Sequence, residues 1–97
     1  MIYLSGPITN IDKEVQRANL KRFFEVAKQF PDCYNPAKHE LEFGQLSYQQ
    51  YLAKELIFII ENKPDMYMMK GWETSWGAKI EHAIAKELKL KISYEHI

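Results

Sequence analysis

The sequence is short of most features that mark specialised protein classes. It has a single cysteine, Cys33, in 97 residues. A lone thiol excludes an internal disulfide and fits a reducing compartment. The strongly apolar run, Leu56 to Ile60, is far too short to cross a bilayer. Met1-Ile2-Tyr3-Leu4-Ser5-Gly6 has neither the basic n-region nor the long h-region of a signal peptide. A cytoplasmic protein with no membrane partner is therefore expected. Neither sign of charge is in excess, since 13 basic side chains balance 13 acidic ones. Binding to a long polyanion usually shows a basic surplus or stripe. A nucleic-acid polymer is thus not an expected partner, whereas a compact phosphate needs only a few donors. No Cys/His cluster has metal-ligand spacing, no Gly-rich phosphate loop is present, and no Ser-His-Asp arrangement suggests itself. Neither a metal nor a cofactor is implied.

What is present suits one small folded unit. Residues 1–97 make a single domain, able to bury roughly 60–65% of its unfolded surface. Ile2-Tyr3-Leu4 reads as a buried strand closed by Ser5-Gly6-Pro7. From Asp12 to about Gln29, Val15, Ala18, Phe23, Val26, Ala27 and Phe30 recur at helical spacing, and Pro31 stops that helix. Cys33-Tyr34-Asn35 allows a brief strand before Pro36. Ser47-Tyr48-Gln49-Gln50 is a capping box that opens a helix with Tyr48, Tyr51, Leu52, Leu56, Ile59 and Ile60 as its apolar stripe. Met66 to Met69 reads as the next strand, Gly71 to Ser75 as a loop, Trp76 to Lys89 as a third helix capped by Ser75, and Lys91 to Tyr94 as a last strand. The alternation predicts an α/β fold: a flavodoxin- or Rossmann-like three-layer sandwich, with a small parallel sheet of about four strands and three helices. Ligands of such sheets bind outside the carboxyl ends of the strands. Ser5 to Thr9, Asn35 to His39 and Gly71 to Ser75 fall there.

Two acidic residues stand where packing alone prefers leucine. At about 100° per residue, Lys79, His82, Lys86 and Lys89 form the wet side of the third helix. Glu81 points away from them, toward Gly77, Ile84, Ala85 and Leu88. On the second helix Glu55 sits within the stripe of Tyr48, Tyr51, Leu52 and Ile59, while Lys54 turns outward. Each Glu alone is explained by snorkelling at a stripe's edge or by a bond to a nearby amide. Together, on helices flanking one strand, they suit glycosidic chemistry, in which one carboxylate attacks or stabilises an oxocarbenium-like carbon and the other orients it or manages a proton.

Other candidates carry less weight. Ser75-Trp76-Gly77-Ala78 starts a helix with small residues and a hydroxyl, which makes an anion site or simply an N-cap. Gly6 lets a ligand approach the backbone or serves an ordinary turn. Trp72 stacks on a base, or covers the core or a dimer contact. A lone loop histidine such as His39 is more often solvated than catalytic. Met66, Met68 and Met69 read as core filling.

These residues resemble a known family. Ile2-Tyr3-Leu4-Ser5-Gly6-Pro7, Lys54-Glu55-Leu56, Pro64-Asp65-Met66-Tyr67 and Ser75-Trp76-Gly77-Ala78-Lys79-Ile80-Glu81 follow the motif order of the nucleoside 2-deoxyribosyltransferase superfamily. The similarity covers Met1 to about Tyr94 and is greatest to a compact branch found in phages and bacteria, with Gly-Trp-Glu-x-Ser-x-Gly-Ala-x-x-Glu at Gly71 to Glu81. The resemblance implies a flavodoxin-like sheet, a dimer or larger homo-oligomer, and Glu81 as nucleophile. Ser75 replaces an Asp of the transferases, as in the related 2′-deoxynucleoside 5′-monophosphate N-hydrolases, where this Ser helps hold the phosphate. Two departures stand out. The family's Arg-Asp pair on the second helix reads Lys54-Glu55 here. The phosphate-binding Arg after the first strand is missing, leaving backbone donors, Lys38 or a neighbouring subunit for that task.

The resemblance implies an N-glycosidase or deoxyribosyltransferase acting on a 2′-deoxynucleoside or its 5′-monophosphate. Glu81 attacks the anomeric carbon and Glu55 orients it. Ser75 and Gly77 hold the 5′-end, Gly6 and Ile8 line the sugar pocket, Asn35 or Trp72 contacts the base, and Tyr3 is a further substrate-binding residue. Two alternatives share these residues: a module that binds a nucleotide without cleaving it, and an oligomeric interaction protein whose pocket has decayed, with Trp72, Trp76 and the tyrosines forming its surface.

Overall fold

The computed structural model describes residues 1–9, 12–38 and 46–96. Strand β1 (Ile2–Ser5) leads to helix α1 (Lys13–Ala27), β2 (Cys33–Tyr34), α2 (Tyr48–Asn62), β3 (Asp65–Met68), a 3-10 turn (Trp72–Thr74), α3 (Trp76–Glu87) and β4 (Ile92–Tyr94). The four strands form one parallel sheet in the order β2-β1-β3-β4, which is the α/β architecture the alternating pattern predicts. Residues 36–38 are also helical, a turn the sequence pattern does not announce.

β1 is covered on both faces, and its side chains alternate between them with the period of two that a pleated strand imposes. Leu4 packs with Phe23, Val26, Ala37 and Met69, beneath α1. Tyr3 faces the other way, among Ile59, Met66, Met68, Ala78 and Ala85, beneath α2 and α3. These two clusters are the two interfaces of a three-layer sandwich. The alternation also decides the fate of Ser5. It belongs to the strand, two residues beyond Tyr3, and shares Tyr3's side of the sheet.

The helix starts follow their caps. Asp12 Oδ1 accepts the N–H groups of Glu14 (2.9 Å) and Val15 (3.3 Å). Ser47 and Gln50 form the reciprocal capping box, at 3.2 and 2.8 Å. Ser75 Oγ accepts the Ala78 N–H at 3.3 Å. α2 ends at Lys63, in the left-handed region at φ 47°, with Pro64 next.

Three expectations about the helix faces need correction. Val15 and Ala18 are exposed and are not part of the α1 stripe. A 15-residue helix is about 22 Å long and a four-residue strand about 13 Å, so the first turns of α1 overhang the sheet. On α2, Tyr48 and Ile60 are exposed (40% and 47%), because the core side of that helix centres on Ile59. On α3, His82 is not on the wet side. Its ring stacks on Trp72 with centroids 4.2 Å apart, and Nε2 lies 2.8 Å from the Tyr94 hydroxyl. Burial, aided by Lys86, lowers its pKa.

The turn after β1 is held tightly. Met69 N donates to Ser5 O at 2.7 Å, and Asn19 Nδ2 donates to Ile8 O at 3.2 Å. A Cβ added at Gly6 would meet Met69 Cβ at 3.0 Å. Because the Met69 backbone is tethered to Ser5, it has little room to retreat. Gly6→Ala is therefore expected to destabilise the fold by about 1–3 kcal/mol, the usual cost of overpacking. Urea denaturation checks this, and an unchanged midpoint would show that the turn is looser than its contacts imply. Among the described residues, no helix is long and apolar enough to cross a membrane.

Candidate active site

The chain leaves β1 to pair β2 on one side, then returns to place β3 on the other. At that reversal the loops part, and the carboxyl ends of the strands open into a crevice. A cavity of about 420 Å³ lies there, at the size of small-molecule sites. Its walls come from the Gly6–Thr9 turn after β1, Pro36 after β2, the first half of α2, and the start of α3. Tyr48, Tyr51, Leu52 and Glu55 stand at three- and four-residue spacing, so α2 presents them on one side.

At the base of this cavity Glu81 is buried, with 4% of its surface exposed. Its carboxylate is fully engaged. Oε1 accepts the Ser5 hydroxyl at 2.6 Å, and Oε2 accepts the Tyr3 hydroxyl at 2.7 Å. The same Tyr3 oxygen lies 3.1 Å from Glu55 Oε2. Both hydroxyl donors come from β1, two residues apart, so the strand's pleat alone sets their spacing. Glu81 reaches them because it lies on the buried side of α3 with Gly77, Ala78 and Ala85, small residues that let the helix approach the sheet.

Burial raises the pKa of Glu81, and hydrogen bonds with Glu55, Ser5 and Tyr3 draw it back. A hydrogen bond between two carboxyl groups requires one proton. The two carboxyls share that proton, and the Ser5 and Tyr3 hydroxyls favour the charged form of Glu81. Tyr3 stays a donor, because burial and the fields of Glu81 and Glu55 push its phenol well above the ordinary value. Beneath it, Tyr34 stacks on Tyr3 at 5.1 Å and contacts Phe58 at 4.0 Å. Burial and the same two carboxyls push Tyr34 up to about 12. This aromatic floor keeps water from the carboxylates on the sheet side, so the anion is open only toward the cavity.

This chain belongs to the DUF4406 family. That family is described as a domain of unknown function, and its model matches residues 1–94. No curated protein matches the chain.

In this DUF4406 protein Glu81, Glu55, Gly6, Ile8, Ser75 and Gly77 come together around the cavity, and Tyr3 lies directly behind the two carboxyls. Asn35 and Trp72 are elsewhere. Asn35 Oδ1 accepts the Ala37 N–H at 3.0 Å, capping the helical turn that brings Pro36 to the cavity. Trp72 packs on His82 and Tyr94, because the 3-10 turn rolls it toward β4 and away from the crevice. The aromatic side chain at the mouth is instead Trp76, 75% exposed. Lys38 is exposed and does not line the cavity, and His39 lies outside the described residues.

Sequence reasoning missed Ser5, Tyr48, Tyr51 and Trp76. Ser5 was legible in principle, as the fourth residue of β1, two beyond Tyr3 and so on the same side of the sheet. Tyr48 and Tyr51 read as core stripe because a rim of tyrosines and a buried stripe have the same period. No metal-binding group of three His, Cys, Asp or Glu side chains occurs among the described residues.

Proposed function

We propose that this protein cleaves the N-glycosidic bond of a 2′-deoxynucleoside or its 5′-monophosphate in the cytoplasm, as a hydrolase or as a transferase to a second base. The observation that carries this reading is the buried Glu81 carboxylate, held by Ser5 and Tyr3 and facing a nucleoside-sized cavity beside Glu55. A carboxylate buried at this cost, with each oxygen aimed by a hydroxyl, is suited to attack and ill suited to a decayed pocket.

In the proposed reaction a Glu81 oxygen bonds to C1′ as the bond from C1′ to the base nitrogen breaks. The electron pair leaves with the base, which takes up a proton from water at the cavity mouth. Glu55 and Glu81 share a hydrogen bond, so both lie on one side of the sugar. The base therefore departs on the other side. Water or an acceptor base then enters by the same route and bonds to C1′ as the bond from C1′ to Glu81 breaks. The electron pair returns to the carboxylate, and the proton the newcomer loses neutralises the hydroxide left in the first step. Glu55 orients the nucleophile, and Ser75 and Gly77 stand at the 5′-end of the sugar. Ile57, Ile60, Ile80 and Trp76 leave apolar surface exposed on the outer sides of α2 and α3, which supports a homo-oligomer.

Chromatography of the four deoxynucleosides and their monophosphates, incubated with and without an acceptor base, tests this reading. Free base appearing with wild type and not with Glu81→Ala is the expected result. Binding without base release in any arm would assign the pocket to nucleotide retention instead.

A further inference from the structure

Tyr48, the first residue of α2, closes one side of the cavity. Its hydroxyl stands against Gly77, in the first turn of α3. The contact is close: a Cβ built on Gly77 would lie 2.9 Å from the Tyr48 oxygen. Ser75 Oγ holds the Ala78 N–H. The start of α3, where helix amides take an anion, is thus tied at Ala78 by Ser75 Oγ and covered at Gly77 by the Tyr48 oxygen.

The electrostatics at that oxygen act in the same direction. Burial raises the Tyr48 phenol, the Gly77 amide lowers it, and the Glu81 and Glu55 carboxyls raise it again. A phosphate placed beside it would meet the same repulsion. The described lining offers two carboxyl groups and no lysine, arginine or histidine. The phenol keeps its own proton to donate, and a 5′-hydroxyl, which brings no charge, meets it without that repulsion.

We propose that Tyr48 sets the substrate class of this pocket: by standing against Gly77 at the start of α3 it excludes a 5′-phosphate and admits an uncharged deoxynucleoside, whose 5′-hydroxyl meets the phenol. This rests on the N-glycosidic reading and narrows it to nucleosides.

The test compares wild type, Tyr48→Phe and Tyr48→Ala for base release from one deoxynucleoside and its 5′-monophosphate. Calorimetry measures binding of the same two compounds to the three proteins carrying Glu81→Gln, so that affinity is read without turnover. Wild type is expected to favour the nucleoside. Tyr48→Ala is expected to swing the kcat/KM and affinity ratios toward the monophosphate by about tenfold or more, the scale of one charge-assisted hydrogen bond. Tyr48→Phe, which keeps the ring, moves them the same way by less. A wild-type preference for the monophosphate, or ratios unmoved in both variants while base is still released, overturns the role of Tyr48 and leaves the chemistry standing. A nucleoside preference in binding that shifts with Tyr48, without base release from any protein, supports Tyr48 and overturns the chemistry. Absence of both binding and release overturns the two together.

Discussion

Glu81→Gln is expected to reduce base release by about ten-thousandfold or more, the scale on which removal of a covalent nucleophile acts. Gln matches the shape of Glu and still pairs with the Ser5 and Tyr3 hydroxyls, so folding is retained while the attacking anion is lost. Its effect on stability runs opposite to its effect on activity. Burial holds the folded-state pKa of Glu81 above its ordinary 4.5. A carboxyl raised on folding contributes stability that is fully present below the unfolded pKa and is lost as pH rises through the folded one. Wild type should therefore lose stability relative to Glu81→Gln between about pH 4.5 and the raised pKa. Thermal melts of both proteins from pH 4 to 8 read this directly. The gap in Tm should widen with pH in favour of the Gln variant. A constant gap, or turnover that survives in the variant, would show that Glu81 is neither strained nor the nucleophile.

Tyr3→Phe carries the second large effect, with an expected loss in kcat of roughly a hundredfold, the cost of misplacing a reacting group by a fraction of its bond length. The phenol donates to Glu81 and lies against Glu55. Without it the Glu81 anion loses one of the three hydrogen bonds that offset its burial. Its pKa should rise, moving the acidic limb of the kcat/KM profile to higher pH. KM should change little, because Tyr3 lies behind the carboxyls and is itself fully buried. The signature is a split between kcat and KM together with a displaced pH profile. A variant that is merely less stable, with kcat and pH profile unchanged, would reduce Tyr3 to a packing residue.

The helix stripes illustrate how far pattern reading reaches. Glu81 was legible because α3 is short and clearly two-sided, so a carboxylate among Gly77, Ala85 and Leu88 stands out by angle alone. His82 was misread by the same method. Its angle places it among lysines, but the wheel contains no information about the 3-10 turn that folds Trp72 over it. Val15 and Ala18 failed for a related reason: periodicity records which side of a helix is apolar and not how far the sheet beneath it extends. Asn35 and Trp72 were placed near the ligand because their loops follow strand ends. A loop's position does not determine the direction of its side chains, and local capping and stacking turned both away.

By itself the sequence determined the α/β alternation, the caps at Ser47 and Ser75, and the two carboxylates set against the apolar pattern, because each depends on residues within one or two turns of each other. Only the tertiary structure decided that Ser5 and Tyr3 share the two oxygens of Glu81, that Tyr48 closes on Gly77, and that Trp76 rather than Trp72 stands at the mouth. Those pairs lie 29 to 78 residues apart in the chain or turn on the roll of one short segment, and only the parallel pairing of β1 with β3 under two packed helices brings them together.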